Sequence, residues 1–384
     1  MNEPMKLVFL TDKLTYGGTP LQMVELASGL NQNEFEPYFI ALSDVDDRLQ
    51  DILLSKHIPV VQIGCSNWTK PAALPAAARL LRTIRRIHPR IVHAFLTTSN
   101  VLGAVVGKAA HVPVVITSHR DLGGFDGKWI TRANRWTDRH LANVLTANSE
   151  AVKQIVLNET AVERKRFEVI YNGIDLDKFA QQASSSDKRS ELGLRRDDFV
   201  IAMVANLRPA KGHEVALRAF AEIADKVPQG YLLFLGAEFD PNYSEKMRQM
   251  AQAYQLTDRV LFLGARNDVA SILPACDVLL APSHSEGFSS AILEAMAAGV
   301  VVIASAVGGN VEQIVDSETG YLVPPSDADT ISTRLLELFL RPELRQKLGK
   351  AARDRVQECF CVEKMVERYE RLYRSLFRSK PNLG

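Results

Sequence analysis

Apolar residues recur along this chain with two alternating periods. Short β-branched runs such as "KLVFL" and "VVITS" are separated by longer stretches whose apolar positions return every three to four residues. The first pattern predicts buried strands and the second amphipathic helices. In the first half, strands are expected at 6–11, 37–42, 59–63, 91–96, 113–118, 143–147 and 167–171. Helices are expected between most of them, at 20–31, 47–56, 73–88, 98–110, 128–141 and 149–157. The polar stretch "QQASSSDKRSELGL" at 181–194 then reads as an interdomain linker.

The alternation restarts beyond it. Strands are expected at 199–206, 231–235, 260–263, 278–281, 300–304 and 321–323, with helices at 212–226, 242–254, 268–275, 289–298 and 310–316. Three helical patterns close the chain, near 328–340, 342–358 and 362–378. Repeated βαβ alternation implies an α/β fold: two doubly wound, Rossmann-like parallel sheets, each covered by helices on both faces. The domains are expected at 1–180 and 181–361.

Composition narrows the function classes. A chain of 384 residues is too long for one typical core and suits two domains. The formal net charge is +1, so no global field favours nucleic acid, and attraction to anions must come from local groups. Cys65, Cys276, Cys359 and Cys361 form no CxxC pair and show no metal-ligand spacing; reduced thiols and no metal site are expected. The first residues lead into "KLVFLTD" without a signal-peptide pattern, and no apolar run is long enough to span a bilayer. A soluble cytoplasmic protein is expected, with contact at the inner face of the membrane left open.

Open α/β sheets bind ligands outside the carboxyl ends of their strands, in the cleft that two such domains form when those ends face each other. Reactive residues just after strands are therefore the candidates. After the first strand, "TYGGTP" offers Gly17 and Gly18 for a turn whose N–H groups suit an anion, with Thr19 able to cap the following helix. It is not a dinucleotide fingerprint. "IVHAF" carries His93, and "VVITSHR" ends in His119 and Arg120. A lone histidine is usually structural; His119 is the stronger candidate because Ser118, Arg120 and Asp121 surround it with polar groups.

In the second half, "LRPAKGHE" places Arg208 and Lys211 in a turn before a helix. A planar guanidinium beside a point-charge ammonium suits a diphosphate, although a basic surface turn would look the same. "PSHSEGFSSAILEAM" follows the same logic. Gly287 permits a sharp turn, Phe288 follows, and Ser289 or Ser290 can cap the next helix, whose first N–H groups are free to point into the cleft. Glu286 lies just outside that helix and Glu294 inside it, among Ile292, Leu293 and Met296. A buried carboxylate needs a partner, and paired sugar or ribose hydroxyls are suitable donors. "AVGGNVEQI" adds a third glycine turn, with Glu312. A glycosidase pair would need the two carboxylates about 5–9 Å apart across a scissile bond. Two flanking anion sites argue instead for a phosphorylated donor.

These residues, in this order, resemble the retaining glycosyltransferases of family 4 (glycosyl transferases group 1), with the GT-B fold. "EGFSSAILEAMAAG" is similar to their glutamate-x7-glutamate motif, and "HPRIVHAF", "TSHR", "VIYNGIDLDKF", "RPAKG" and "TGYLVPP" agree in sequence order. The resemblance covers nearly the whole chain. It implies two domains closing over a nucleotide-sugar donor, which is a substrate rather than a cofactor, and a saccharide or lipid-linked acceptor. Carried over, Arg208 and Lys211 hold the diphosphate, Glu286 the donor sugar and Glu294 the ribose. Gly18 approaches the phosphates and His119 the reacting centre. Glu312 is a further donor contact, while His93 and Arg120 lie on the acceptor side. No metal is expected, and the final helix, 362–378, is expected to return to the first domain.

The sequence departs from the family pattern at Ser289 and Val301, where proline is usual, and at Phe95, where a second histidine is usual. None of these removes a reactive group. A nucleotide-sugar epimerase of the same fold and a non-catalytic sugar-binding subunit remain alternatives. Arg79, Arg82 and Arg86 share one helical face and would suit anionic lipid, or would simply be solvated above a helix packed on the sheet.

Overall fold

The computed structural model describes residues 3–68, 70, 73–122, 127–180 and 185–378, with the backbone alone at 180, 185, 186 and 378. The chain forms two compact units: Met1–Gly173 together with the segment from Val362 onward, and Ile174–Cys361.

Unit 1 alternates strand and helix throughout. Its elements run β1 Met5–Thr11, α1 Gly18–Gly29, β2 Phe35–Ala41, α2 Asp47–Ser55, β3 Val60–Gln62, α3 Ala73–Ile87 and β4 Ile91–Phe95. They continue with α4 Thr97–Ala109, β5 Val114–His119, α5 Lys128–His140, β6 Val144–Ala147, α6 Glu150–Thr160 and β7 Phe167–Val169. All strand pairs are parallel, in the order β3-β2-β1-β4-β5-β6-β7. The central strands are buried on both faces, which is why they read as unbroken apolar runs.

Unit 2 begins with α7 Asp177–Ala180, α8 Ser185–Glu191, β8 Phe199–Val204, α9 His213–Ile223, β9 Gly230–Leu235 and α10 Pro241–Ala253. Then come β10 Val260–Gly264, α11 Val269–Ile272, β11 Val278–Ala281, α12 Ser290–Ala297, β12 Val301–Ser305 and α13 Asn310–Gln313. It ends with β13 Tyr321–Val323, α14 Ala328–Leu340 and α15 Pro342–Cys359. Its parallel sheet has the order β10-β9-β8-β11-β12-β13. In each sheet the strand order reverses once beside the first strand, between β1 and β4 and between β8 and β11. Loops leaving those strands diverge there and open a crevice.

The last helix, α16 Val362–Arg378, belongs to unit 1. Met365, Val366, Tyr369, Leu372 and Tyr373 are buried with Leu7, Phe9, Met23 and Phe35 in one core. A Cβ on Gly29 would meet Val366 at 2.7 Å, so α1 and α16 approach closely only because that position is a glycine.

Two sequence expectations change. The boundary falls at Gly173/Ile174 rather than 180/181, because Ile174 N–H donates to the Phe360 carbonyl (2.9 Å), bringing both ends of unit 2 side by side. The 181–194 stretch is not a solvated linker over its described part: 181–184 lie outside the described residues, and 185–191 form α8. Arg189 of that helix reaches Asp277 (3.0 Å) and Lys188 reaches Asp268 (3.1 Å). Helix α3 spends its apolar face on the core, with Leu80, Ile84 and Ile87 packed near Val8, Leu10 and Val92. Arg79 donates to the Ile63 carbonyl at 2.6 Å.

Candidate active site

The candidate residues of unit 2 gather at its crevice. After β8 the chain makes a short 3-10 turn, Pro209–Lys211, and enters α9 through Gly212. Gly212 has φ +79°, and a Cβ there would lie 2.1 Å from the Pro282 carbonyl oxygen, so glycine is required twice over. His284 N–H donates to the Ala210 carbonyl (2.9 Å), tying this turn to the loop after β11. Arg208 is exposed, and its guanidinium lies 4.7 Å from the ring centre of Phe239. Stacking holds the guanidinium plane while its N–H groups stay open.

Lys211 and Glu286, assigned by sequence to different parts of a ligand, pair with each other: Nζ to Oε2 is 2.6 Å. The pair is half-buried, and each charge is matched by the other.

Residues 286–289 sit against the next glycine turn. Gly309 N–H donates to the Glu286 carbonyl (3.1 Å), and a Cβ on Gly309 would lie 2.2 Å from the Gly287 oxygen. Gly287 itself has no positive φ. Sequence expected a sharp turn there, but the glycines serve the close passage of two backbones. Phe288 points inward, buried, with its ring 5.6 Å from that of Phe360. It anchors the loop by packing.

Ser289 caps α12 as expected, accepting from Ile292 N–H at 3.4 Å. The helix start is less open than sequence suggested. Gln313 accepts from Ser289 N–H (3.1 Å) and donates to the Ser289 carbonyl (2.8 Å). The N–H groups of Ser290 and Ala291 keep no partner among the described residues. One turn on, Glu294 is half-buried by surface, yet protein surrounds its carboxyl. Burial pushes its pKa up to about 7, with Lys178 pulling the other way. No described side chain hydrogen-bonds it. Glu312 lies on α13, where Arg355 holds its carbonyl at 2.8 Å.

Unit 1 treats its candidates differently. The first helix starts at Gly18, so Thr19 lies inside it and does not cap it; Gly17 is the N-cap and no side chain caps that end. Gly17 is extended (φ 169°), with nothing closer than 3.9 Å to its would-be Cβ, so the fold itself does not demand glycine there. His93 is 1% exposed, in the sheet core. Its Nδ1 meets Tyr373 Oη (2.8 Å) and its Nε2 meets Ser118 Oγ (2.7 Å). Burial, with Arg120 nearby, holds its pKa well below the usual histidine value. Both ring nitrogens are used inside the core, so the structure gives His93 a packing role and no exposed face. Arg120 bonds Asn172 and Tyr369 and lies 5.0 Å above the Phe95 ring, which ties β5 to α16.

His119, the last residue of β5, sits 3.2 Å (Nε2 to Oδ2) from Asp138 of α5, a carboxylate with no exposure. The alignment falls short of a hydrogen bond, so the attraction is mainly one of charge. Thr117 Oγ1 donates to the other Asp138 oxygen at 2.8 Å. Burial disfavours the imidazolium, but Asp138, helped by Asp121 and Glu159, outweighs it and raises the His119 pKa. Asp138, Gln313 and Phe239 escaped sequence reasoning. Asp138 lies in the last turn of α5 among arginines, and only the fold turns it toward β5. Gln313 was within reach, since it neighbours Glu312 in the same quoted turn. Among the described residues no cluster of three metal-ligating side chains occurs.

Comparison with known proteins bears on the family and the fold. The profile described as "Glycosyl transferases group 1" matches residues 184–355, and "Glycosyltransferase Family 4" matches 16–178. The chain is 28% identical to an N-acetyl-alpha-D-glucosaminyl L-malate synthase of Bacillus anthracis, over 98% of this chain and 99% of that protein. It is 28% identical to the UDP-Gal:alpha-D-GlcNAc-diphosphoundecaprenol alpha-1,3-galactosyltransferase of Escherichia coli, over 85% of each. Among solved structures, Anabaena Alr3699/HepE in complex with UDP and glucose superposes with a TM-score of 0.87. That match has 23% identity and spans 97% of this chain and all of that one; it shows the shared GT-B fold.

Proposed function

Because the chain belongs to the group 1 and family 4 glycosyltransferases, we propose that it transfers a sugar from a nucleotide-diphosphate donor, by default a UDP-sugar, to an acceptor hydroxyl. The anomeric configuration is retained, and the acceptor is a saccharide or lipid-linked saccharide of polysaccharide, lipopolysaccharide or glycolipid synthesis. The observation that carries the donor assignment is the constellation in unit 2. The Lys211–Glu286 pair, the open guanidinium of Arg208, two uncommitted N–H groups and an unpartnered Glu294 all lie on loops and a helix start at one crevice.

Each part has a chemical use. A diphosphate takes Lys211 from Glu286, which releases the Glu286 carboxylate to accept from donor-sugar hydroxyls. Arg208 and the first turn of α12 take the remaining phosphate charge. As the glycosidic bond breaks, negative charge grows on the leaving diphosphate, and these preorganised donors stabilise it by a few kcal/mol each, about what one such donor is worth. The acceptor hydroxyl attacks from the face the diphosphate leaves, and no metal is assigned to the leaving group. Glu294 accepts from the ribose diol, which replaces the partner that burial denied it. The UDP bound to the Anabaena structure and the UDP-Gal in the Escherichia coli relative's name support UDP as the nucleotide.

The test is incubation of the full chain with a panel of nucleotide-sugars, with and without cell extract. Transfer appears as slow UDP release that extract accelerates, and proton NMR of the product gives its anomeric configuration. An altered sugar still on its nucleotide would instead support an epimerase. Lys211→Ala is expected to lower turnover by roughly 100-fold or more with the fold intact; near wild-type turnover would sink the diphosphate assignment.

A further inference from the structure

Helix α5 carries a surface that sugar transfer does not use. Its inward face is polar: Asn134, Thr137 and Asp138 are buried beneath it. Its outward face carries two tryptophans, Trp129 at 82% and Trp136 at 55% exposure. They stand seven residues apart, two helical turns, so they share one face. Arg132 and Arg139 follow each of them by three residues and fall on the same stripe. The Arg132 guanidinium lies 6.0 Å from the Trp129 ring centre, and Trp136 lies 5.2 Å from the ring of His140. Lys128 is exposed at the helix start. The helix's one acid, Asp138, is fully buried toward His119, so every outward charge on α5 is positive. Arg135 is matched by Glu159 of α6 (2.9 Å); Lys128, Arg132 and Arg139 have no acidic partner among the described residues.

We infer that this face docks unit 1 on an anionic phospholipid bilayer. An indole offers a flat apolar body and an N–H, a combination that settles at headgroup level. Cations beside each indole then meet lipid phosphates, and no acid on α5 points outward to oppose them. Buried apolar contact and electrostatic attraction act together, as they do for helices lying in the membrane interface. A second copy of the chain fits less well, because it would set these cations against identical ones. The inference stands apart from the donor chemistry, since none of these side chains belongs to the proposed site.

The experiment is co-sedimentation of the full chain with phosphatidylcholine vesicles, with and without about 30% phosphatidylglycerol. The wild type is expected to bind the anionic vesicles and to show a blue-shifted tryptophan emission on them; the third tryptophan, Trp68, is packed against the core. Arg132→Glu/Arg139→Glu should weaken binding at least about tenfold. Trp129→Ser/Trp136→Ser should weaken it and abolish the emission shift. Unchanged thermal midpoints and UDP binding separate lost docking from lost fold. Should a variant unfold, salt supplies a second test on the wild type, because raising it to about 1 M shrinks the Debye length to about 3 Å and should release the protein. Failure of the wild type to bind anionic vesicles, or equal binding by wild type and both variants, overturns the inference. So does a shift from dimer to monomer in the variants with vesicle binding unchanged, which would assign the face to a second copy.

Discussion

The two units place their candidate chemistry alike, at the carboxyl ends of parallel strands, but hold it by different means. In unit 2 the loops are locked by backbone against backbone: Gly212 against Pro282, Gly309 against Gly287. Its reactive side chains are left lightly committed. Lys211 and Glu286 neutralise each other, and Glu294 has no hydrogen-bonding partner among the described residues. In unit 1 the glycine turn is loose, and its side chains are fully committed. Asp138 raises the pKa of His119, while burial, with Arg120 nearby, lowers that of His93, whose two ring nitrogens are both hydrogen-bonded. Locked loops with exchangeable side-chain partners suit the donor binding proposed above; a histidine held against a buried carboxylate suits fixed positioning.

The largest expected effect breaks the walls of unit 2. Gly309→Ala drives a Cβ into the Gly287 carbonyl, which cannot swing away as a flexible side chain would. Urea unfolding of unit 2 should show a loss of about 3 kcal/mol.

Next comes the uncommitted carboxylate. Glu294 has a native pKa near 7, above the unfolded value of a glutamate, so its ionisation costs stability. The cost is absent at low pH, appears as pH rises through the unfolded value, and is complete above about 7. Glu294→Gln should therefore match wild type near pH 5 and exceed it by about 2 kcal/mol near pH 8 in the ligand-free protein. The same change should weaken UDP binding, measured by calorimetry, because an amide is a poorer acceptor for a diol. A variant stabilised equally at both pH values would refute the unpartnered reading.

A smaller effect tests the committed pair. His119 has a raised native pKa, so its stabilisation is fully present below the unfolded histidine value and is lost as pH rises through the native one. Asp138→Asn should destabilise by roughly 1 to 2 kcal/mol near pH 6, and the gap should close on the alkaline side. The smallest effect is the control for the glycines: Gly17→Ala should cost less than about 1 kcal/mol, since a Cβ there meets nothing close. A large loss of turnover in that folded variant would assign Gly17 to the ligand.

Much of the fold was legible along the chain. Strands β8, β9, β11 and β13 fall within a few residues of their expected positions, because a strand buried on both faces must be continuously apolar whatever its neighbours. Arg208, Lys211 and Glu286 could be singled out as candidates for a related reason, since they lie in the loops after such strands, with Glu294 in the helix that follows. The return of α16 to unit 1 was expected from the family resemblance, not from periodicity.

What the sequence determined by itself is the order of elements and the residue types at strand ends, because both are local: a period, a cap, a glycine before a helix. What only the tertiary structure decided is which of those residues are free to act. His93 and His119 look alike in sequence, yet one lies under α16 beside Tyr373 and the other faces the buried Asp138 of α5. Lys211 and Glu286 lie far apart in sequence and meet at 2.6 Å because β8 and β11 are neighbours in the sheet. Charge state depends on burial and on partners brought from elsewhere in the chain, and neither is a property of a local stretch.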